Sequence, residues 1–256
     1  MTPDALAETL LVARASRRKI TLAAHQRPID WHAARRSADL ACRGEPKAWK
    51  LGGTTQPVRD IFAIDAPFYG PLGAHELYAS GEPVMIPPLP GPVAEPEIAV
   101  RLAANVSPKA APRSDAEIAS LIDAISPALD IAAVALENPA KEGVLSLIAD
   151  RAGAGLILTG DWQPASDLPC LVNQPVRLLL DGRQRSQGNV NTLIGGVIGA
   201  LRDFFTEAAR EDRVLNSGDI IATGGLAAAI ALTNAKTVAA AFDDWQTTSF
   251  TLEHTA

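Results

Sequence analysis

Val93-Ala94-Glu95-Pro96-Glu97-Ile98-Ala99-Val100-Arg101-Leu102 reads with a period of two. Ala94, Ile98, Val100 and Leu102 share one face of an extended chain, and Glu95 and Glu97 share the other. The pattern predicts a strand over 93–102 with one buried side. Pro96 removes a ladder donor and predicts an edge or a bulge. Residues two apart on a strand have Cα atoms about 6.6 Å apart at about 3.3 Å rise, so the two carboxylates aim the same way. They raise each other's pKa unless a cation lies between them, and a hard divalent ion with oxygen ligands would serve. From spacing alone, a solvated strand face with two ordinary glutamates is the simpler account.

Downstream, Ser114-Asp115-Ala116-Glu117 is a capping box leading into Ile118, Leu121, Ile122 and Ile125, a helical stripe that Pro127 ends. Ala128–Leu136 then reads as extended. Asp130 heads its apolar part, where an aspartate caps, pairs or ligates. Upstream, Trp49–Gly52 is a short strand. Its Lys50 is partly desolvated, which lowers an ammonium pKa and suits proton transfer or enolate stabilisation; a lysine snorkelling from a strand end fits as well. Residues 54–92 carry eight prolines and read as a long structured loop, a rim or lid. Asp219–Gly225 is a buried strand ending in a Gly-Gly turn, whose amides can hold a carboxylate; a plain tight turn explains it equally.

Helices are expected over 3–18, closed by the basic run Arg14, Arg17, Arg18 and Lys19, over Trp31–Ala41, and over Asn191–Arg210, with Gly195-Gly196 inside the last. Further strands are expected at Gly155–Thr159, Cys170–Asp181, Asp219–Thr223, Thr237–Phe242 and Ser249–Leu252. A few helices on a largely β core make an α+β class.

The chain has 256 residues, 47% of them apolar and 20% charged, with a formal net charge of −6. A sizeable core is affordable, and the acidic balance argues against a nucleic-acid platform or a polybasic membrane anchor. No 18 apolar residues run uninterrupted by charge, and the N-terminus has its acids early and its bases late, the reverse of a secretory signal. Cys42 and Cys170 read as two buried free thiols in a reducing cytoplasm. The histidines have no zincin spacing, and neither a G-x-S-x-G elbow nor a G-x-G-x-x-G after a strand occurs.

The order of these segments carries a resemblance. Lys50-Leu51-Gly52-Gly53-Thr54-Thr55, Phe68-Tyr69-Gly70, Glu95-Pro96-Glu97-Ile98-Ala99, Pro127-Ala128-Leu129-Asp130-Ile131 and Gly218-Asp219-Ile220-Ile221-Ala222-Thr223-Gly224 resemble the fumarylacetoacetate hydrolase superfamily. The similarity is strongest to the branch of 2-keto-4-pentenoate hydratases and 4-oxalocrotonate decarboxylases, and runs from about Trp49 to the C-terminus.

The resemblance implies a rolled mixed β-structure with an N-terminal helical region, divided as residues 1–48 and a catalytic β-rich domain 49–256, in a homo-oligomer. It implies Mg2+ or Mn2+ on Glu95, Glu97 and Asp130, Lys50 as the catalytic group, and Thr54, Phe68, Thr223 and Gly224 at a small 2-oxo acid substrate. The implied activity is a lyase, a hydratase of a 2-hydroxy-dienoate or 2-oxo-enoate; decarboxylation, tautomerisation or a repurposed binding role are the alternatives. Three single residues and one three-residue stretch depart from the branch. Asp130 stands where glutamate is usual, Phe68 where hydratases place an aspartate, Gly153 where they carry a serine, and Ala133-Val134-Ala135 where small-Ser-Arg is usual. His75, Glu76, Arg59 and Asp60 are candidates to replace the lost polar groups.

Overall fold

The computed structural model describes residues 1–111 and 114–254. Chain order runs α1 (Pro3–Ala15), α2 (Trp31–Cys42), β1 (Ala48–Gly52), α3 (Gln56–Phe62), β2 (Phe68–Leu72), β3 (Leu77–Ala79), β4 (Val84–Ile86), β5 (Val93–Leu102), α4 (Asp115–Ser120) and β6 (Ile122–Ala132). It continues through α5 (Pro139–Glu142), α6 (Val144–Ala149), β7 (Leu156–Thr159), β8 (Gln163–Pro164), β9 (Pro175–Leu180), β10 (Arg183–Asn189), α7 (Gly196–Arg210), β11 (Ile220–Ala222), β12 (Ile230–Ala231), β13 (Thr237–Phe242) and β14 (Thr247–His254).

Among the described residues the strands form two sheets. The larger follows the order β2-β1-β11-β5-β6-β7-β3, with β12 on β5 and β8 on β6; the smaller runs β10-β9-β13-β14-β4. Only the β1–β11 and β3–β7 pairs of the large sheet are parallel. This mixed, curled sheet with helices around it is the rolled α+β architecture the resemblance implied. Its core joins both sheets to α7 through Ile98, Val100, Leu129, Leu178, Phe204 and Phe250.

Pro96 does not mark an edge, because β5 lies inside the sheet. An extended residue directs its N–H and C=O to the same side. The Pro96 carbonyl accepts from Leu226 N at 2.9 Å, on the side where β11 covers Ala99–Arg101 and β12 covers Val93–Ala94. The missing N–H therefore faces the break between two partners. Pro127 repeats the arrangement on β6: its carbonyl accepts from Gly160 N at 2.8 Å, in the break between β7 and β8.

Several expectations are corrected. Helix α4 stops at Ser120, and the strand containing Pro127 has already begun at Ile122, so Asp130 lies near the end of β6 rather than at the head of a strand. The helical stripe is real only through Ile118; Ile122 and Ile125 are buried on β6 instead, on either side of a shift in its register with β5. Residues 54–92 are not one loop: they hold α3, β2, β3 and β4. Pro57 opens α3, Pro67, Pro83 and Pro92 each directly precede a strand, Pro87 follows β4, and Pro71 lies on the outer strand β2. The first helix ends at Ala15, with Arg17 left-handed at φ 56°. Gly195 and Gly196 precede and open α7 with positive φ rather than lying within it. Leu171 ends a 3-10 turn where the strand from Cys170 was expected. Cys42 is buried, but Cys170 is exposed. The Ser114 capping box is present, with Glu117 N donating to Ser114 Oγ at 3.3 Å.

Helices α1 and α2 pack on each other, and α2 packs on α6. Arg14 and Asp150, both buried, join α1 to the chain beyond α6 at 2.6 Å.

Candidate metal and active site

Lys50 sits mid-strand between Gly70 of β2 and Ala222 of β11. Both neighbours are small, which leaves room along that sheet face for the lysine stem. Glu95 of β5 and Asp130 of β6 are register partners, so their side chains leave the same face side by side. Glu97 follows two residues on. The curl of the sheet brings β1 to these acids: Lys50 Nζ lies 2.6 Å from Asp130 Oδ2 and 3.5 Å from Glu95 Oε2.

Glu95, Glu97 and Asp130 each offer an oxygen within 4.8 Å of the others. Glu97 and Asp130 are fully buried, and Glu95 is partly open. The Gly224 amide donates to Glu97 Oε2 at 2.7 Å. Glu97 Oε1 and Asp130 Oδ1 are buried without a hydrogen-bond partner among the described residues. Buried carboxylate oxygens are costly in that state unless a cation takes them up. Three carboxylates and one ammonium leave two negative charges, which one divalent ion neutralises. The donor set, all hard oxygen, fits Mg2+ or Mn2+.

Electrostatics follow the same geometry. Burial, then the charges of Asp130 and Glu95, push the Glu97 carboxyl well above its usual range. Burial raises Asp130 to about 6 against the opposing pull of Lys50. For Lys50, burial works downward, but Asp130 and Glu95 outweigh it and its proton is held more tightly than usual. The expected lowering of Lys50 is thus reversed, because desolvation was visible in the sequence while its acidic neighbours were not.

The turn after β11 closes the site. Thr223 Oγ1 donates to the Ile98 carbonyl at 2.9 Å, while the Gly224 amide is taken by Glu97. Both donors are thereby committed to the β5 backbone and to a metal-type ligand. Gly224 has φ +110°, and a methyl on it would collide with Thr54 Oγ1. Thr54 is buried, its carbonyl accepting from Ile194 N at 2.9 Å. The family model for "Fumarylacetoacetate (FAA) hydrolase C-terminal" matches residues 37–250. The chain belongs to the fumarylacetoacetate hydrolase family.

Within the family, one relative is the 2-keto-4-pentenoate hydratase of Burkholderia vietnamiensis, 28% identical over 199 residues, 76% of this chain and 73% of the relative. The fold matches 4-oxalocrotonate decarboxylase from Pseudomonas putida G7, complexed with magnesium and adipate, with a TM-score of 0.86 at 21% identity over 98% of this chain and 97% of that one. Fumarylpyruvate hydrolase from Pseudomonas aeruginosa, complexed with Mn2+ and pyruvate, matches with a TM-score of 0.59 at 15% identity over 81% and 89% of the two chains.

The structure therefore brings together Lys50, Thr54, Glu95, Glu97, Asp130, Thr223 and Gly224. It places Phe68 two residues along from Lys50's partner Gly70, with its ring over Gly52, edge-on to Phe62 at 5.8 Å, in an apolar cluster with Ala34, Leu147 and Ala152. Three candidate replacements are engaged elsewhere. Arg59 bonds Gly53 O, Asp65 O and Asp203; Asp60 accepts from Gln56; Glu76 pairs with Arg151 at 2.6 Å. His75 caps no carboxylate of the site; its ring packs against Gly73. The Gly224–Glu97 bond was not legible in the sequence, since it joins residues 127 positions apart.

Proposed function

We propose that this chain is a divalent-metal-dependent hydro-lyase acting on a 2-hydroxy-dienoate or 2-oxo-enoate acid. The observation carrying this reading is the pair of partnerless buried oxygens, Glu97 Oε1 and Asp130 Oδ1, beside the Lys50 ammonium. Mg2+ or Mn2+ on Glu95, Glu97 and Asp130 would chelate the carboxylate and 2-oxygen of a 2-oxo acid and act as electron sink. Metal-bound relatives in complex with adipate or pyruvate support that choice.

Lys50, ion-paired with Asp130 and Glu95, serves as donor and positive charge at the 2-oxygen, where negative charge develops as the enolate forms. Thr54, Phe68, Thr223 and Gly224 border the substrate, Phe68 as an apolar wall. The Thr223-Gly224 turn acts chiefly by holding Glu97. Buried α1 and α2 contacts suit a helical region 1–48 bracing a β-rich domain 49–256. Free thiols suit the cytoplasm. Exposed Ile29, Ile61 and Val12 suit a homo-oligomer.

Decarboxylation is the second reading. Where the branch carries polar groups, this chain has Phe68, Val134-Ala135 and Gly153, and a methyl on Gly153 would lie 2.9 Å from Val134 Cγ2. Fewer proton-carrying groups suit loss of CO2, which needs no activated water. The test is 2-hydroxypenta-2,4-dienoate with Mg2+ or Mn2+, followed by loss of ultraviolet absorbance, alongside 4-oxalocrotonate followed by CO2 release. Metal-dependent loss of the dienoate supports the hydratase; CO2 release alone selects the decarboxylase. No metal-dependent turnover of either overturns the enzymatic reading and leaves a keto-acid binder.

A further inference from the structure

The segment after α6 adopts an uncommon conformation. Arg151, Ala152 and Gly153 all have positive φ, at 55°, 55° and 76°. Left-handed backbone is unfavourable for residues with a Cβ, so two such residues in succession persist only where the surroundings enforce them. The enforcing contacts are specific. Arg151 is buried, and donates from Nε to the Pro71 carbonyl at 3.1 Å and from Nη2 to Glu76 Oε2 at 2.6 Å. Glu76 is itself fixed by the Gly73 amide at 2.9 Å. Asp150, just before the turn, accepts from Arg14 and from the Ala135 amide, each at 2.6 Å. Beyond it, the Gly153 carbonyl accepts from Ala133 N at 2.8 Å.

The place of this turn gives the strain a use. The Arg151 carbonyl fills the position a Cβ would take on Gly70. Gly70 is the direct cross-strand partner of Lys50. Side chains of directly opposed residues leave the same sheet face with Cβ atoms about 5 Å apart. The Arg151 carbonyl therefore stands where a neighbouring side chain would stand, flanking the Lys50 stem. Gly153 of the turn is bonded to Ala133, and Asp150 just before it to Ala135, both just past the end of β6, which carries Asp130. One clamped loop thus touches the strand pair carrying Lys50 and the strand exit carrying its ion-pair partner.

We propose that Arg151 is a positioning residue for Lys50: its left-handed turn, latched to Pro71 and Glu76, walls the lysine stem and sets the ammonium on the Glu95–Asp130 carboxylates. The catalytic consequence rests on the function proposed above; the placement of Lys50 does not.

The test uses the full chain and Arg151→Asn. Asparagine tolerates the left-handed region, so the turn keeps its backbone while losing both latches. Glu76→Gln weakens the same latch and serves if the first variant does not fold. Val197→Ala, a cavity in the core on α7, is the control for general loss of stability. Acetic anhydride acylation is followed lysine by lysine by peptide mass spectrometry. Lys50 is buried and Lys109 and Lys141 are exposed, so in the parent Lys50 should react far more slowly. Lys50 should react at least ~10-fold faster in Arg151→Asn and a few-fold faster in Glu76→Gln, with Val197→Ala like the parent. On a substrate the parent converts, kcat should fall roughly 10- to 100-fold, the cost of ångström-scale misplacement, with KM and Mn2+ affinity within about threefold. Unchanged Lys50 acylation in both variants, or acceleration matched by Val197→Ala, overturns the proposal. A parent that turns over no dienoate or oxalocrotonate overturns the proposed function instead, and the acylation rates still decide the role of Arg151.

Discussion

Glu95 and Asp130 occupy one rung of the β5–β6 ladder, directly opposite one another, and both lie within 4.0 Å of the same lysine nitrogen. Like charges directly opposite on a sheet are destabilising. Here a single ammonium stands between them, and a third carboxylate, Glu97, adds to the cluster with one oxygen unpartnered. With all three carboxylates ionised the cluster carries two net negative charges, which one divalent cation balances.

Metal should therefore stabilise the fold, and stability should depend on its concentration. At a free concentration of a hundred times Kd, about 2.7 kcal/mol of stabilisation is expected. In Glu97→Gln, Mn2+ affinity measured by calorimetry should fall at least ~100-fold, in line with loss of a charged ligand. The metal-free variant should melt no lower than the metal-free parent, because a buried like charge has gone. An Mn2+-induced rise in melting temperature equal to the parent's would remove Glu97 from the site.

Lys50→Met keeps the stem and removes the charge. Turnover should fall by roughly two to four orders of magnitude, the range for a lost acid–base or oxyanion contact. Mn2+ should bind the variant at least as tightly, since no ammonium competes for Asp130 Oδ2. Near-parental turnover would leave the metal as the only electrophile.

Gly224→Ala meets two obstacles, φ +110° and the Thr54 hydroxyl. A loss of about 1–3 kcal/mol is expected from the backbone alone. Adding Thr54→Ala should recover only part of it in denaturant melts, since the clash is relieved and the φ is not. Full recovery would show that packing alone requires the glycine.

Asp181 and Gly182 turn β9 into β10 with φ 51° and 73°. The Thr237 and Lys236 amides, donating to Asp181 Oδ1 at 3.0 and 2.8 Å, hold its carboxyl below the usual range. A folded-state pKa below the unfolded value of about 3.9 means the stabilisation is complete above that value and is lost as pH falls through the folded pKa. Asp181→Asn keeps a side chain that tolerates the turn. Its stability deficit against the parent should be constant near neutrality and shrink below about pH 4. A deficit independent of pH down to 2.5 would assign the effect to geometry rather than charge.

The site was legible where local pattern meets chemistry. The alternation around Glu95 and Glu97 fixes their common face, and a resemblance of ordered short segments linked them to Asp130 and Lys50. The fold around them was less so. Pro96 and Pro127 read as an edge and a helix end because a single chain does not show which neighbours are interrupted beside it. The Lys50 environment was misread in sign for a related reason: the apolar strand around it, with Trp49 and Leu51 on either side, announces burial, whereas Asp130 arrives from 80 positions away. In Arg151-Ala152-Gly153 only the glycine signals a turn; the left-handed backbone of Arg151 and Ala152 is held by contacts with Pro71, Glu76 and Ala133.

The two prolines have a further consequence for how this sheet is specified. Each ring is accommodated only where the adjoining strand is broken, one break beside β5 and another beside β6. Sliding either strand by one residue would press a ring against an intact ladder and turn every acid to the opposite face. Pro96 thus acts as a stop on the alignment of β5 against β11 and β12, and Pro127 on that of β6 against β7 and β8, so each strand is held acid-face inward before their shared ladder sets Glu95 opposite Asp130.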